Sequence, residues 1–153
     1  MALIYFDIEH CIRAHDSVLE ISGGIKGVKD LGNIESIIEH IQNDDYYPSF
    51  EEKLTHLVFA VNMGHCFTDG NKRTSIALGA FLLEVNGLDV LVNKFIMEME
   101  NIAVAVADNI IDKELLGDII TSLLNEEEYD ESLKLRIIKA LQKSAPDNYP
   151  FEE

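Results

Sequence analysis

The sequence predicts an all-α fold. Three observations carry the prediction. Apolar side chains recur at intervals of three and four residues in one segment after another. Glycine, proline or an Asn-Gly pair interrupts the pattern between the first five segments. One stretch, residues 72–85, is apolar on nearly every side, as a helix at the centre of a bundle must be.

The elements follow in order. Asp7 is a good N-cap, and Ile8, Ile12, His15 and Leu19 share one helical face up to Ser22-Gly23-Gly24. Residues 23–32 hold four glycines with Lys26, Lys29 and Asp30 between them, which predicts an irregular loop or short hairpin able to act as a flap. Asn33 is expected to cap a second helix, in which Ile34, Ile37, Ile38 and Ile41 stack on one side. After the break Asp44-Asp45-Tyr46-Tyr47-Pro48, the stripe Phe50, Leu54, Leu57, Val58, Val61 leads to Gly64 and puts His65 just beyond a helix end. The buried helix 72–85 stops at Asn86-Gly87. Three further helices are expected near Asn93, Asp112 and Asp130. Their stripes are Phe95, Met99, Ile102, Val106, then Leu116, Ile119, Ile120, Leu123, then Leu133, Ile137, Leu141. The polar tail 144–153 is expected to fray.

Composition bounds the function. With 153 residues and 47% hydrophobic side chains, the chain suits one core. A net charge of −16 opposes binding to nucleic acid or to an anionic membrane. A local positive site remains open to Lys72 and Arg73. The N-terminus has no basic region followed by an apolar run, and no segment has about 18 successive apolar residues. Cys11 and Cys66 are too few for a disulfide framework, so a reducing, cytoplasmic setting is expected.

The chemistry concentrates in His65-Cys66-Phe67-Thr68-Asp69-Gly70-Asn71-Lys72-Arg73-Thr74, a loop running straight into the buried helix. A helix N-terminus offers unpaired N–H groups, and Gly70 lets an anion approach that backbone. Lys72 and Arg73 oppose the helix dipole, a local cost that a bound phosphate would offset. Asp69 supplies the hard oxygen that suits Mg²⁺ shared with phosphate oxygens. His65 is the group whose ordinary titration range suits a general base, and Phe67 is expected to anchor the loop inward. Taken singly, His65 would be a capping residue, Asp69-Gly70-Asn71 a helix-capping turn, and Lys72 and Arg73 a solvated face. Their meeting on ten residues is what argues for a site.

This segment closely resembles the Fic/Doc signature H-x-F-x-[D/E]-[G/A]-N-[G/K]-R, met at every specified position from His65 to Arg73. Similarity to the Doc (death-on-curing) branch continues through His15-Asp16, Gly23-Gly24-x-x-Gly27, Gly32-x-x-Glu35-x-x-Ile38 and Asn86-Gly87, over roughly the first 120 residues. The resemblance implies a compact helical bundle that binds ATP with Mg²⁺. His65 would deprotonate a Ser, Thr or Tyr hydroxyl of a target protein, and Asp69 would hold the metal. Gly70, Asn71, Lys72, Arg73 and Thr74 would bind the nucleotide, with Lys72 and Arg73 also acting in catalysis. Gly23, Gly24, Lys26 and Gly27 would form the target flap.

Position 72 divides the family. AMP-transferring Fic enzymes usually have Gly there and a second Arg three residues after the first, whereas this chain has Lys72 and Ile76, as Doc does. Doc holds the nucleotide reversed and phosphorylates its target, a translation elongation factor in the known toxins. The resemblance therefore implies a toxin-type protein kinase, silenced by an antitoxin-like partner. The alternatives are AMP transfer and a nucleotide- or partner-binding scaffold without turnover. Two residues depart from the Doc pattern: Ala77 stands where Doc often has Asn, and Gly70 is the Fic choice where Doc has Ala. The expected organisation is a catalytic domain at 1–125, a packed helical extension at 126–143 and a flexible tail at 144–153.

Other patterns weigh less. Ser122 to Glu126 loosely fits the inhibitory S/T-x-x-x-E pattern of some Fic proteins. Cys11 and His15 could begin a metal site but lack a fourth ligand, and Cys66 reads as structural.

Overall fold

A computed structural model describes residues 2–143; the tail expected at 144–153 lies outside the described residues. The described chain is helical: α1 Ile8–Ser22, α2 Leu31–Ile41, α3 Phe50–Met63, α4 Asn71–Val85, α5 Val92–Ala107, α6 Lys113–Asn125 and α7 Glu131–Lys143. A 3₁₀ turn at Asp89–Leu91, which no stripe foretold, leads into α5. None of the helices described is long and apolar enough to cross a membrane.

Local chemistry explains most boundaries. The Asp7 carboxylate accepts the His10 N–H, and Gly23 closes α1 with φ +77°. Ser49 and Glu52 form a reciprocal capping box at the start of α3. Asp112 caps α6 by accepting the Leu115 N–H. The start of α2 differs from the sequence expectation. Asp30 is its cap, accepting the Asn33 N–H at 3.0 Å, and the helix begins at Leu31. Asn33 instead sits in the first turn and donates its side-chain amide to the Gly64 carbonyl at 2.9 Å. The Asp30 carboxylate is thus the cap, and the Asn33 carboxamide makes a tertiary contact.

The sequence put the 72–85 segment at the centre. The structure agrees, with α4 between α1, α3 and α5, and α3 shares the centre, packing against α2, α4, α5 and α6. Leu54, Leu57 and Val58 of α3 are wholly buried. So is Lys53, whose ammonium reaches out to the Ile41 carbonyl at 2.9 Å and the Asp44 carboxylate at 2.7 Å. On α4, Gly79 is what lets the helices close: a Cβ there would lie 2.7 Å from the Phe95 ring of α5 and 3.0 Å from Val58.

Helix α7 rests on α6. Leu133 is buried, Ile137 packs against the core, and Arg136 pairs with Asp118 at 2.7 Å. Leu141, the last residue of the expected stripe, is 46% exposed. Residues 21–32 are exposed throughout and form neither strand nor hairpin. A single antiparallel bridge, Val28 to Phe67, joins them to the loop before α4.

Candidate functional site

The loop between α3 and α4 is shaped by backbone geometry at both ends. Helix α3 closes at Gly64, and His65 follows at φ +50°, a left-handed conformation that turns the chain sharply. At the other end Gly70 has φ +78°, and α4 begins at Asn71 with no side chain capping it. The first bond of that helix is Thr74 N–H to the Gly70 carbonyl at 3.0 Å. The preceding N–H groups of Asn71, Lys72 and Arg73 are therefore the unpaired donors that every helix start leaves, here without a capping oxygen.

Three attachments stiffen the loop. Phe67 is 1% exposed and stacks on His15 with ring centres 3.9 Å apart and planes 7° off parallel. The Asn71 side chain spans the turn, accepting the Phe67 N–H at 3.0 Å and donating to the Phe67 carbonyl at 2.9 Å. The flap adds three backbone bonds: Lys29 and Asp30 donate to the Cys66 carbonyl, and Thr68 donates to the Gly27 carbonyl.

A cleft of about 430 Å³ opens beside this loop. His65, Asp69, Gly70, Asn71, Lys72 and Arg73 line one side, and Asn62, Met63 and the end of α5 (Ala107, Asp108, Asn109) line the other. The structure thus gathers most of the residues that the sequence selected. His65, Lys72 and Arg73 are exposed and available. Arg73 donates to the Ser22 hydroxyl at 2.8 Å, which ties the last turn of α1 to the site.

Asp69 is the most engaged group. One carboxylate oxygen accepts the Gly70 N–H at 2.8 Å and the other accepts the Ile25 N–H of the flap at 3.0 Å. These bonds, the one from Ile25 foremost, hold its carboxyl below the usual carboxylate range, with Arg73 and His15 adding to the effect. The group is ionised near neutrality, and a carboxylate oxygen that accepts one hydrogen bond keeps a lone pair for a cation. One carboxylate beside an uncapped helix N-terminus fits Mg²⁺ that takes its remaining ligands from phosphate and water. It does not suit a metal held by protein alone. Among the described residues no group of three or more His, Cys, Asp or Glu could hold an ion.

Thr74 differs from the sequence expectation. Thr74 is fully buried and does not line the cleft, because position four of α4 faces the core; its hydroxyl has no partner. Asn71 lines the cleft, and its side-chain amide bonds Phe67 at both ends, so that side chain also shapes the loop. The flap residues Gly23, Gly24, Lys26 and Gly27 are exposed. Gly24 is needed where it is: a Cβ would lie 2.7 Å from Asp69 Oδ2.

Sequence reasoning missed Asn62 altogether and the role of His15. Asn62 lines the cleft with its amide held by the Ala103 carbonyl at 3.0 Å and its oxygen unpartnered. His15, 1% exposed, donates from Nε2 to the Asp69 carbonyl at 2.6 Å. The available signal was the same for both, a polar residue inside an otherwise apolar helical stripe. Cys11 and His15 have no further His, Cys, Asp or Glu beside them to complete a metal site among the described residues. Burial pushes the Cys11 thiol up to about 12 and the Cys66 thiol to about 11, so both are inert near neutrality. Glu126 accepts the Ser122 hydroxyl at 2.7 Å and is not among the residues lining the cleft, so the inhibitory pattern finds no geometric support.

Residues 5–83 match the model of the Fic/DOC family. The protein kinase doc of Escherichia phage P1 is 32% identical over 124 residues, covering 78% of this chain and 95% of that protein. The chain belongs to the Fic/Doc family, on its Doc branch. The family match contains α1, the flap, α2, α3, the signature loop and nearly all of α4, so every residue that lines the signature side of the cleft falls inside it. The end of α5 on the opposite wall lies beyond it.

Proposed function

We propose that the chain is a Doc-type protein kinase that transfers the γ-phosphate of Mg-ATP to a Ser, Thr or Tyr hydroxyl of a target protein. One observation carries the reading: the uncapped N-terminus of α4 shares a single cleft with His65, Asp69, Lys72 and Arg73. The name of the phage P1 relative supports the kinase assignment, and Lys72 supports the direction of transfer.

Phosphoryl transfer asks mainly for positioning and charge stabilisation. The N–H groups of residues 71–73, with Lys72 and Arg73, hold the phosphates. Mg²⁺ beside Asp69 supplies further charge neutralisation when bound. His65 accepts the proton of the target hydroxyl as its oxygen bonds to the γ-phosphorus, and the β–γ bridging bond breaks to release ADP. The flap, with Lys26 and Lys29 exposed beside this centre, positions the target segment. In this reading residues 1–125 are the catalytic domain, 126–143 an extension packed on it, and the setting is cytoplasmic. A basic helical antitoxin-like peptide suits the acidic surface as a silencing partner; nucleic acid and membrane do not.

Gly70, the Fic-type choice at its position, favours a second reading as an AMP transferase. Parallel incubations with γ-labelled and α-labelled ATP and a protein extract separate the two. Label from the γ position, lost in His65→Ala, is expected. Label from the α position alone replaces kinase by AMP transfer, and Mg-ATP binding with no transfer to any protein makes the chain a scaffold.

A further inference from the structure

We infer that His15 is a positioning residue of the site: from inside the core it fixes the Asp69 peptide, and through it the start of α4 and the seat of the flap. Its link to nucleotide binding rests on the function proposed above; its link to the loop and flap does not.

The argument begins with burial. His15 lies in the apolar stripe of α1, and a buried imidazole is unfavourable unless it is hydrogen-bonded. Its Nδ1 is 3.8 Å from Asp16 Oδ1, too far for a hydrogen bond, so the short contact of Nε2 with the Asp69 carbonyl carries that role. A carbonyl can only accept, so the proton resides on Nε2.

The peptide plane transmits the constraint. In a trans peptide the C=O and the following N–H point in opposite directions. Drawing the Asp69 carbonyl toward His15 therefore aims the Gly70 N–H away from the core, where Asp69 Oδ1 receives it at 2.8 Å. The carboxylate so oriented presents Oδ2 to the Ile25 N–H of the flap. The imidazole also lies directly under Gly70: a Cβ there would be 3.6 Å from Nε2. Its stack on Phe67 holds the other half of the loop at the same level. One ring thus touches both ends of the turn that precedes α4.

Two variants separate donor from stack. His15→Phe keeps a ring on Phe67 and removes the donor, whereas His15→Gln removes the ring and can still donate. With isotope-labelled protein, the wild-type imidazole is expected to carry its proton on Nε2. In His15→Phe the Gly70 and Ile25 amides should exchange with solvent about tenfold faster, the worth of one hydrogen bond, and affinity for Mg-ADP should fall by a similar factor. His15→Gln should restore most of both. Active preparations should show KM raised more than kcat is lowered. An Nδ1–H tautomer in the wild type, or a folded His15→Phe with wild-type exchange at both amides, overturns the proposal. The tautomer is read on the unmodified protein, so it decides the matter even if His15→Phe does not fold. Should the wild type bind no Mg-ADP, the function falls, while tautomer and exchange still judge the role of His15.

Discussion

The Asp69 carboxylate accepts the backbone N–H of Ile25 at 3.0 Å, so a side chain of the signature loop latches the flap by its main chain. The same carboxylate is the candidate ligand for Mg²⁺. In the proposed function flap position and metal binding share this one group, and the latch should respond to its charge.

The latch weakens in acid. The folded-state carboxyl of Asp69 titrates below its ordinary range, so its contribution is complete above the unfolded value and is lost as pH falls through the depressed folded value. Ile25 amide exchange, corrected for intrinsic rates, should be constant near neutrality and accelerate only below the usual carboxylate range. Asp69→Asn should show the faster exchange at every pH.

Gly24→Ala should release the flap without unfolding the core. The added Cβ meets Asp69 Oδ2 at 2.7 Å and Leu19 at 2.8 Å, and φ is +133°. Because residues 21–32 are exposed, the strain is relieved by local displacement, and global stability should change by less than about 1 kcal/mol. Gly23→Ala, with open space around its Cβ, should show only the backbone effect of its positive φ. Exchange at Ile25 and urea midpoints of the two variants test the contrast.

His56 makes stability pH-dependent. Burial foremost, then the charges of Lys113 and His40, lower its pKa from the ordinary 6.5 to about 4. Its Nδ1 faces both the Tyr47 hydroxyl and the Lys113 ammonium at 2.9 Å. The unfolded chain takes up the proton first, so stability falls as pH drops from about 6.5 toward 4. Allowing for partial solvent screening, the loss should be about 1–2 kcal/mol. Urea unfolding at pH 7 and pH 4.5 should show it in the wild type, with this part missing in His56→Gln.

Gly79→Ala should destabilise despite alanine's better helix propensity. Its Cβ would meet the Phe95 ring edge at 2.7 Å and Val58 at 3.0 Å, at the junction of α3, α4 and α5. Overpacking of about 1–3 kcal/mol outweighs a propensity gain of about 1 kcal/mol. A lowered urea midpoint at unchanged slope is expected, and an increased midpoint would show that the helices can part.

Much of this molecule is written in local sequence. The stripes on α1, α3, α5 and α6 follow from spacings of three and four, and Asp7, Gly23 and Asp112, with Asn86-Gly87 after α4, mark helix ends, because caps and periodicity depend on neighbours within one or two turns. The candidate segment was legible for the same reason: His65, Asp69, Gly70, Lys72 and Arg73 lie within ten residues, so chain connectivity alone keeps them close.

What the sequence could not supply came from residues far apart along the chain. Asp30 rather than Asn33 caps α2, and the Asn33 amide bonds the Gly64 carbonyl instead. Helix α3 shares the centre with α4 because four helices converge on it, which no single stripe encodes. The Asn71 side chain was tied to Phe67, and Thr74 was turned into the core, through the fixed direction in which α4 leaves the loop. The roles of His15 and Ile25 lay in hydrogen bonds to Asp69 that cross 54 and 44 residues of sequence. The sequence by itself determined which groups the signature loop would bring together. Tertiary packing decided which of them are free to meet a ligand, because a hydrogen-bonding group already satisfied inside the fold has little left to offer outside it.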